Sequence, residues 1–84
     1  MARIEIYTKD NCPYCDMAKA FFKRKGWDYT EHNLEQRIDE LLALKERTGH
    51  RTVPQIFING EFIGGYTDMA ALDKAGQLEA RVSG

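Results

Sequence analysis

The hydrophobic positions of the first third of the chain predict a strand, a helix and a second strand. Apolar and polar residues alternate over residues 2–7, which is the period-two pattern of a strand. Over residues 13–25 apolar residues recur at helical spacing, and Gly26 follows as a helix stop. Alternation returns over residues 27–32 and indicates a short second strand. Two strands joined by a helix predict a parallel βαβ unit. The apolar positions of the helix are Cys15, Ala18, Phe21 and Phe22.

A second helix is predicted over residues 35–48. Asn33 is suited to cap its amino terminus, and Gly49 is suited to end it. The charged residues of this segment mix signs, so we expect them to form a solvated face. The apolar positions at helical spacing are Leu34, Ile38, Leu41 and Leu42.

A β-hairpin is the strongest local signal in the second half of the chain. Residues 55–58 and 61–63 are rich in apolar side chains, and Asn59-Gly60 separates them. That dipeptide fits a type I′ turn, whose twist matches that of the flanking strands. The sequence therefore predicts two antiparallel strands here.

A third helix is expected to end near Ala75. Thr67 or Asp68 is its predicted N-cap, since both side chains can accept a hydrogen bond from the first turn. We expect Leu72 and Leu78 to pack on the sheet, and the residues after the helix to form a last helical turn or a frayed end.

Length and composition indicate an ordinary globular protein. The 84 residues predict a single domain spanning 1–84, and the 43% hydrophobic and 30% charged content is that of a soluble chain. A net charge of −1 gives no reason to expect a nucleic-acid or membrane partner. No stretch approaches the ~20 apolar residues of a membrane span, and no signal peptide is evident. We expect a cytoplasmic monomer.

Both cysteines of the chain lie in one segment, Cys12-Pro13-Tyr14-Cys15, at the predicted junction of strand and helix. Helical side chains three positions apart have β-carbons about 5–6 Å apart, so a reversible disulfide is geometrically natural. The amino end of the helix favours a thiolate at Cys12, which is therefore the candidate nucleophile. Pro13 suits the first helical position. Cys15, one turn further on, is the candidate resolving thiol.

Nearby charges act on Cys12 in both directions. Lys9 would stabilise a thiolate there, whereas Asp10 and Asp16 would oppose it. We expect the helix end together with Lys9 to dominate.

Two structural roles compete with redox chemistry for the cysteine pair. A disulfide across four residues closes a very short loop and constrains the unfolded chain little. A zinc site would need His32 and His50 as further ligands, and their spacing fits no zinc-finger pattern. Redox exchange is therefore favoured, and the two histidines are interpreted as surface or hinge residues.

The order of elements, β-α-β-α-β-β-α with CxxC after the first strand, matches the thioredoxin-like architecture, and the chain resembles the glutaredoxins of the dithiol type. The resemblance spans nearly the full length and implies a four-stranded mixed sheet flanked by helices. The residues that carry it are Tyr7-Thr8-Lys9, Cys12-Pro13-Tyr14-Cys15, Thr52-Val53-Pro54, and Gly64-Gly65 with Thr67-Asp68.

The activity that this resemblance implies is glutathione-dependent disulfide exchange. Cys12 would attack a protein disulfide and Cys15 would displace the product, or Cys12 alone would take glutathione from a glutathionylated thiol. The implied partners are glutathione and disulfide-containing or glutathionylated proteins, ribonucleotide reductase being one candidate. No metal is expected.

The resemblance also implies a glutathione site. Val53 would offer its backbone to the cysteinyl unit of glutathione if the bond to Pro54 is cis, with Thr52 beside it. Gly65, Thr67 and Asp68 would hold the γ-glutamyl carboxylate and ammonium at the start of the third helix.

The glycine end of glutathione is the least defined part of the implied site. Lys9 and Tyr14 would line that side, with Lys9 a candidate for the glycine carboxylate. Related proteins often offer a polar side chain from the second helix, where this chain aligns Leu41. Arg37 and Arg51 are the possible substitutes.

Two other functions remain open from the sequence. One is a redoxin reduced by thioredoxin reductase that serves ribonucleotide reductase. The other is an iron–sulfur carrier in which two protomers hold a cluster through Cys12 and two glutathiones. Cys15 and Pro13 disfavour the carrier, because family members with a single active-site cysteine are the more typical carriers.

Overall fold

The structure is a computed structural model that describes residues 2–83. The predicted order of strands and helices is confirmed, with one short helix added after the third. The elements are β1 (Ile4–Thr8), α1 (Pro13–Lys25), β2 (Thr30–Asn33), α2 (Ile38–Thr48), β3 (Gln55–Ile58), β4 (Glu61–Gly64), α3 (Tyr66–Lys74) and α4 (Leu78–Ser83).

One mixed sheet with strand order β2-β1-β3-β4 organises these elements. β1 and β2 run parallel, joined by α1, whereas β1–β3 and β3–β4 are antiparallel. Asn59 and Gly60 both have positive φ, 52° and 81°, as a type I′ turn requires. The predicted βαβ unit and hairpin are therefore both confirmed.

The two faces of the sheet bury different sets of side chains. Alternate residues of β1 and β3 point to α1, α3 and α4 on one side. The opposite face, with Tyr7 and Phe57, packs against α2. Leu72 and Leu78 pack with the first set, as predicted. The buried residues of that set are Ile4, Ile6, Ala18, Phe21, Phe22, Ile56, Ile58, Met69 and Leu78.

β2 begins three residues later than the alternation of residues 27–32 predicted. Gly26, in the left-handed region at φ 73°, and Trp27 donate backbone hydrogen bonds to carbonyls in the last turns of α1. These two residues therefore cap the carboxyl end of α1 and cannot yet pair as a strand. Trp27 and Tyr29 pack on the core from an irregular segment. Parallel pairing starts only where Thr30 lies opposite Glu5.

The prediction that α2 begins at residue 35 with Asn33 as its cap is wrong. The Asn33 Oδ1 accepts a hydrogen bond from the backbone N–H of Glu35 at 2.9 Å, which makes a local turn instead of a cap. The helix begins at Ile38, whose side chain is 58% exposed, as is that of Leu42. The face that α2 presents to the sheet is instead made by Leu41 and Leu44, and Leu34, which precedes the helix, packs with them.

The predicted N-cap of α3 is also wrong. Gly65 is the N-cap, and Asp68 is the third helical residue, whose carboxylate accepts a hydrogen bond from the Gly65 N–H at 2.9 Å. The tail forms α4 rather than a frayed end, tied down by an Arg81–Glu61 ion pair at 2.9 Å. None of the helices described here is long and apolar enough to cross a membrane.

Candidate active site

Cys12 and Cys15 are joined as a disulfide at the start of α1. Their α-carbons lie 5.2 Å apart, within the range that a disulfide requires. Cys12 is the N-cap of the helix, and its Sγ accepts a hydrogen bond from the backbone N–H of Cys15 at 3.1 Å. Pro13 occupies the first helical turn, as predicted. The sulfur of Cys12 therefore takes the place that a capping oxygen usually takes, facing the orphan amides of the helix.

The two sulfurs differ in access to solvent. Cys15 is 1% exposed and belongs to the buried face of α1, whereas Cys12 is 9% exposed at the helix end. The neighbouring Tyr14 is 58% exposed. Cys12 is therefore the more accessible of the two sulfurs to an incoming substrate, and Cys15 is left to react within the molecule.

The two carboxylates flanking the pair are engaged by other groups. Asp10 accepts a hydrogen bond from the side-chain amide of Asn33 at 3.0 Å. Asp16 lies 3.8 Å from the ammonium of Lys19, one turn along α1. Asp10 is thus engaged by an amide and Asp16 by an ammonium, which weakens their opposition to a thiolate and favours the helix end as the dominant influence on the Cys12 sulfur.

A polar network fixes the end of β1, just before the cysteine segment. The buried Thr8 hydroxyl donates to the Glu31 carboxylate at 2.7 Å, and Lys19 of α1 pairs with the same carboxylate at 3.1 Å. The hydrogen bond from Thr8, followed by that from Lys19, holds the pKa of Glu31 below its ordinary value of 4.5. Side-chain interactions therefore connect β1, β2 and α1 next to the cysteine segment.

Thr8→Val is expected to destabilise the protein by about 1 kcal/mol at neutral pH, because an isosteric side chain removes a hydrogen bond to a charged group. A lowered folded-state pKa contributes stability that is present above pH 4.5 and is lost as the pH falls through the folded value. The difference between the two proteins should therefore shrink in acid. Urea unfolding at about pH 7 and about pH 3.5 measures it. A difference in the free energy of unfolding that is the same at both pH values would contradict this linkage. The control is Thr30→Val, which makes the same substitution at an exposed position of β2.

The segment before β3 brings a backbone carbonyl to the cysteines. The peptide bond between Val53 and Pro54 is cis, as the family resemblance implied. The carbonyl oxygen of Val53 lies 3.8 Å from the Sγ of Cys12. The Thr-Val-Pro segment and the start of α1 therefore form two sides of one site.

The start of α3 forms the third side. Gly65 is buried as its N-cap, and the Asp68 carboxylate folds back onto the Gly65 N–H. Gly64, just before it, has φ 122°, and a Cβ there would lie 2.7 Å from the Cβ of Asp68. A glycine is required at this position by both the backbone and the close approach.

A groove of about 400 Å³ joins these elements. The structure brings seven of the eight predicted glutathione-binding residues to its walls. Two lining residues, His50 and Tyr66, were not predicted. His50 lies two residues before the Thr-Val-Pro motif and Tyr66 lies between Gly65 and Thr67, but neither belongs to a sequence pattern of its own. The residues that line it are Tyr14, His50, Thr52, Val53, Pro54, Gly65, Tyr66, Thr67 and Asp68.

The remaining candidates lie outside these walls. Lys9, Arg37 and Arg51 are exposed and do not line the groove. Arg37 instead lies 3.5 Å from Glu40 on its own helix. Leu41 lies on the buried face of α2 and packs in the core between this helix and the sheet.

The two histidines have partners other than the cysteines. His32 stacks on Tyr7, with ring centroids 4.6 Å apart, and its Nε2 lies 3.1 Å from a Glu5 carboxylate oxygen. His50 lies in the groove, with its Nε2 3.4 Å from the Thr52 hydroxyl. Among residues 2–83, no cluster of three or more His, Cys, Asp or Glu side chains is placed to hold a metal ion.

Comparison with known proteins places this arrangement in a family. The glutaredoxin family model matches residues 4–63. Glutaredoxin 3 of Escherichia coli is 44% identical over 79 residues, which cover 94% of this chain and 95% of that protein. This chain belongs to the glutaredoxin family.

Solved glutaredoxin structures have the same fold. A buckwheat glutaredoxin–glutathione complex superposes with a TM-score of 0.90 at 32% identity, covering 98% of this chain and 77% of that one. The glutaredoxin of Brucella melitensis has a TM-score of 0.86 at 36% identity and covers 100% and 94%. The predicted family and thioredoxin-like fold are therefore confirmed.

Glutaredoxins are glutathione-dependent thiol–disulfide oxidoreductases, and that is the activity of this chain. Its two cysteines lie at bonding distance in the CxxC arrangement that the activity needs. The choice of redox exchange over a structural staple or a zinc site is thereby confirmed.

Proposed function

We propose that this glutaredoxin holds glutathione, its reducing co-substrate, in the groove beside Cys12. The observation that carries the proposal is the convergence of three separate segments on one groove of about 400 Å³ that has Cys12 next to its Val53 wall. The proposed contact residues are Lys9, Tyr14, Thr52, Val53, Pro54, Gly65, Thr67 and Asp68.

The start of α3 is the proposed site for the γ-glutamyl end. Free backbone N–H groups in the first turn of a helix attract a carboxylate, and the helix dipole adds to that attraction. The Asp68 carboxylate lies in the same turn and can pair with the neighbouring ammonium of the ligand. A zwitterionic amino-acid head group therefore meets one donor set and one acceptor.

Val53 is the proposed partner for the cysteinyl unit. Its backbone would pair with the peptide backbone of glutathione as one strand pairs with another. Because the Val53 carbonyl is 3.8 Å from the Cys12 sulfur, such pairing would bring the ligand sulfur within bonding range of Cys12. Tyr14, which is exposed and lines the same groove, would cover the bound tripeptide.

Lys9 is retained as the proposed partner of the glycine carboxylate. Its side chain is exposed beyond the walls of the groove, where a long flexible ammonium can reach a ligand that extends outward. Arg51 remains the other candidate on the same grounds. The buried Leu41 offers no polar group for this role.

The proposed reaction with a glutathionylated protein uses Cys12 alone. The Cys12 thiolate attacks the glutathione sulfur, so that a new disulfide to glutathione forms as the bond to the protein sulfur breaks, and the protein leaves as a thiolate that takes up a proton. A second glutathione thiolate then attacks the bound glutathione sulfur. Oxidised glutathione leaves, and Cys12 is regenerated.

With a protein disulfide the proposed reaction uses both cysteines. Cys12 forms a mixed disulfide with one substrate sulfur and releases the other. Cys15 then attacks the Cys12 sulfur, which releases the reduced substrate and leaves the disulfide joining Cys12 and Cys15. Two glutathiones return this pair to the dithiol, and they leave as oxidised glutathione.

The proposed setting is the cytoplasm, where thiols are kept reduced and a CxxC pair serves exchange rather than stability. The proposed protein partners are those with accessible disulfides or glutathionylated cysteines, with ribonucleotide reductase as one candidate. We propose that the chain works as a single-domain monomer without a metal.

Asp68→Ala is expected to raise the KM for a glutathionylated peptide about tenfold while changing kcat little, because an ion pair made equally in ground and transition states affects binding only. Steady-state kinetics with glutathione and glutathione reductase measures both constants. Asp68→Asn is the matched variant: its amide oxygen can still accept from the Gly65 N–H but carries no charge. Both variants should lose affinity, and only the alanine variant should also lose stability.

The adduct of the same peptide with cysteine tests the proposal as a whole. The cysteine of this adduct has no γ-glutamyl group. The parent protein should therefore turn the adduct over poorly, and Asp68→Ala should not change that rate. Equal turnover of the two adducts would refute glutathione binding in this groove. Turnover with thioredoxin reductase but not with glutathione would favour the redoxin alternative, and brown colour after anaerobic purification would favour the iron–sulfur carrier.

A further inference from the structure

Residues 49–54 carry one wall of the groove and have no helix or strand of their own. Such a segment is held in place by side chains that satisfy its backbone. Gln55, the first residue of β3, is fully buried behind it at 0% exposure. A polar side chain with that burial is costly unless each of its groups is paired.

Both polar groups of the Gln55 side chain are paired, with this segment and with the end of α2 that precedes it. The side-chain amide Nε2 donates to the carbonyl of His50 at 2.7 Å and to that of Thr52 at 3.3 Å. The Oε1 accepts from the Thr48 hydroxyl at 2.9 Å. Thr48 in turn accepts from the backbone N–H of His50 at 3.1 Å. One amide thus ties the end of α2 to two alternate carbonyls of the wall.

These bonds lie on the inner side of the segment, and the groove lies on its outer side. His50, Thr52 and Val53 all line the groove. The imidazole of His50 lies close to Gly65 on the opposite wall: a Cβ added at Gly65 would be 3.3 Å from its Nε2. The side chain of Gln55 holds the carbonyls of residues 50 and 52, and Gln55 is itself paired with Tyr7 in the sheet. The backbone from residue 50 to residue 55, which includes Val53, is therefore fixed at three points along the groove.

We propose that Gln55 is a positioning residue for glutathione recognition, acting through its amide bonds to the carbonyls of His50 and Thr52. The inference rests on the proposed function of the groove. Gln55 contributes to the affinity for glutathione by holding the Val53 backbone and the His50 ring at a fixed distance from α3. The sulfur of Cys12 does not depend on it in the same way, because that sulfur is capped from within α1 by the N–H of Cys15.

Gln55→Met tests this role, since methionine keeps the length of the side chain and removes the amide. We expect the KM for a glutathionylated peptide to rise about tenfold, as an affinity loss of that size corresponds to one or two hydrogen bonds. The kcat and the rate of iodoacetamide alkylation of Cys12 should stay within about twofold of the parent. All variants are made in the Cys15→Ser background, where Cys12 is the single thiol.

Two further variants make the test independent of a loss of folding. Thr48→Val removes the hydroxyl that pairs with the Gln55 Oε1 and with the backbone N–H of His50, but leaves the two bonds from Gln55 to the carbonyls. It should therefore raise the KM by a smaller factor, about threefold. Ile58→Val is the matched control, because it lies at the far end of the same strand and faces the core on the opposite side of the sheet. It should lose stability with no change in KM.

A graded rise in KM with unchanged alkylation would support the assignment. KM values of Gln55→Met and Thr48→Val equal to that of the Ile58→Val control would overturn it, as would an alkylation rate that falls in proportion to the rise in KM. A parent protein without preference for the glutathione adduct over the cysteine adduct would remove the proposed function and this inference together. A clear preference that survives unchanged in Gln55→Met would overturn the inference alone.

Discussion

Cys12→Ser should reduce turnover of both glutathionylated peptides and protein disulfides to the uncatalysed rate. A serine hydroxyl is not ionised near neutral pH and forms no disulfide, so neither of the two exchange reactions can begin. Cys15 cannot take over, because it is 1% exposed and reaches no external disulfide. The expected loss is therefore total rather than partial.

The fold should survive this substitution, which makes the loss interpretable. Cys12 is the N-cap of α1, and its sulfur accepts the hydrogen bond of the Cys15 N–H. Serine is among the best N-cap residues and can accept the same bond. Circular dichroism and thermal unfolding of the reduced proteins should thus agree closely between parent and variant. Residual turnover above background in a folded Cys12→Ser protein would show that another group initiates exchange.

Local sequence signals predicted those parts of the fold whose causes are local. The bounds of α1 follow from Pro13 at its start and a glycine just past its end, and the structure has them at Pro13–Lys25. The hairpin follows from Asn59-Gly60, since few other dipeptides accept two successive positive φ angles. In both cases the deciding interactions span only a few residues.

Errors occurred where long-range packing overrides local pattern. Ile38 and Leu42 look apolar and helical, yet the sheet lies on the side of Leu41 and Leu44. The chain also must leave β2 along the register that pairs Thr8 with Asn33, which delays the start of α2. The local sequence pattern alone determines neither which face of a helix packs on the sheet nor which residues of two strands pair.

The candidate site divides in the same way. The cysteines and the Thr-Val-Pro and Gly-Gly motifs are recognisable as strings, so most of the groove could be predicted. His50 could not, because its place in the wall depends on Gln55 holding its carbonyl and on Gly65 leaving room for its ring. The sequence identifies Gln55 only as the first residue of a strand. Its role depends on its burial and on three side-chain hydrogen bonds, which only the structure shows.

Cys15→Ser should separate the two reactions of this glutaredoxin. Reduction of protein disulfides should fall to background, because the mixed disulfide between Cys12 and the substrate can no longer be resolved from within. Removal of glutathione from a peptide should stay within about threefold of the parent rate, since its second step is an attack by external glutathione on the sulfur bound to Cys12. The variant should therefore accumulate a covalent complex with a protein substrate and none with a glutathionylated one at saturating glutathione.

Intact-protein mass spectrometry after mixing with each substrate measures this difference directly. The matched control is Ala18→Ser, which places a hydroxyl one turn further along the same buried face of α1 and leaves both thiols in place. It should keep both reactions, whatever stability it loses to the buried hydroxyl. Equal loss of both reactions in Cys15→Ser would mean that the buried thiol also serves the exchange with glutathione. In that case the difference in exposure between the two sulfurs would not divide their roles.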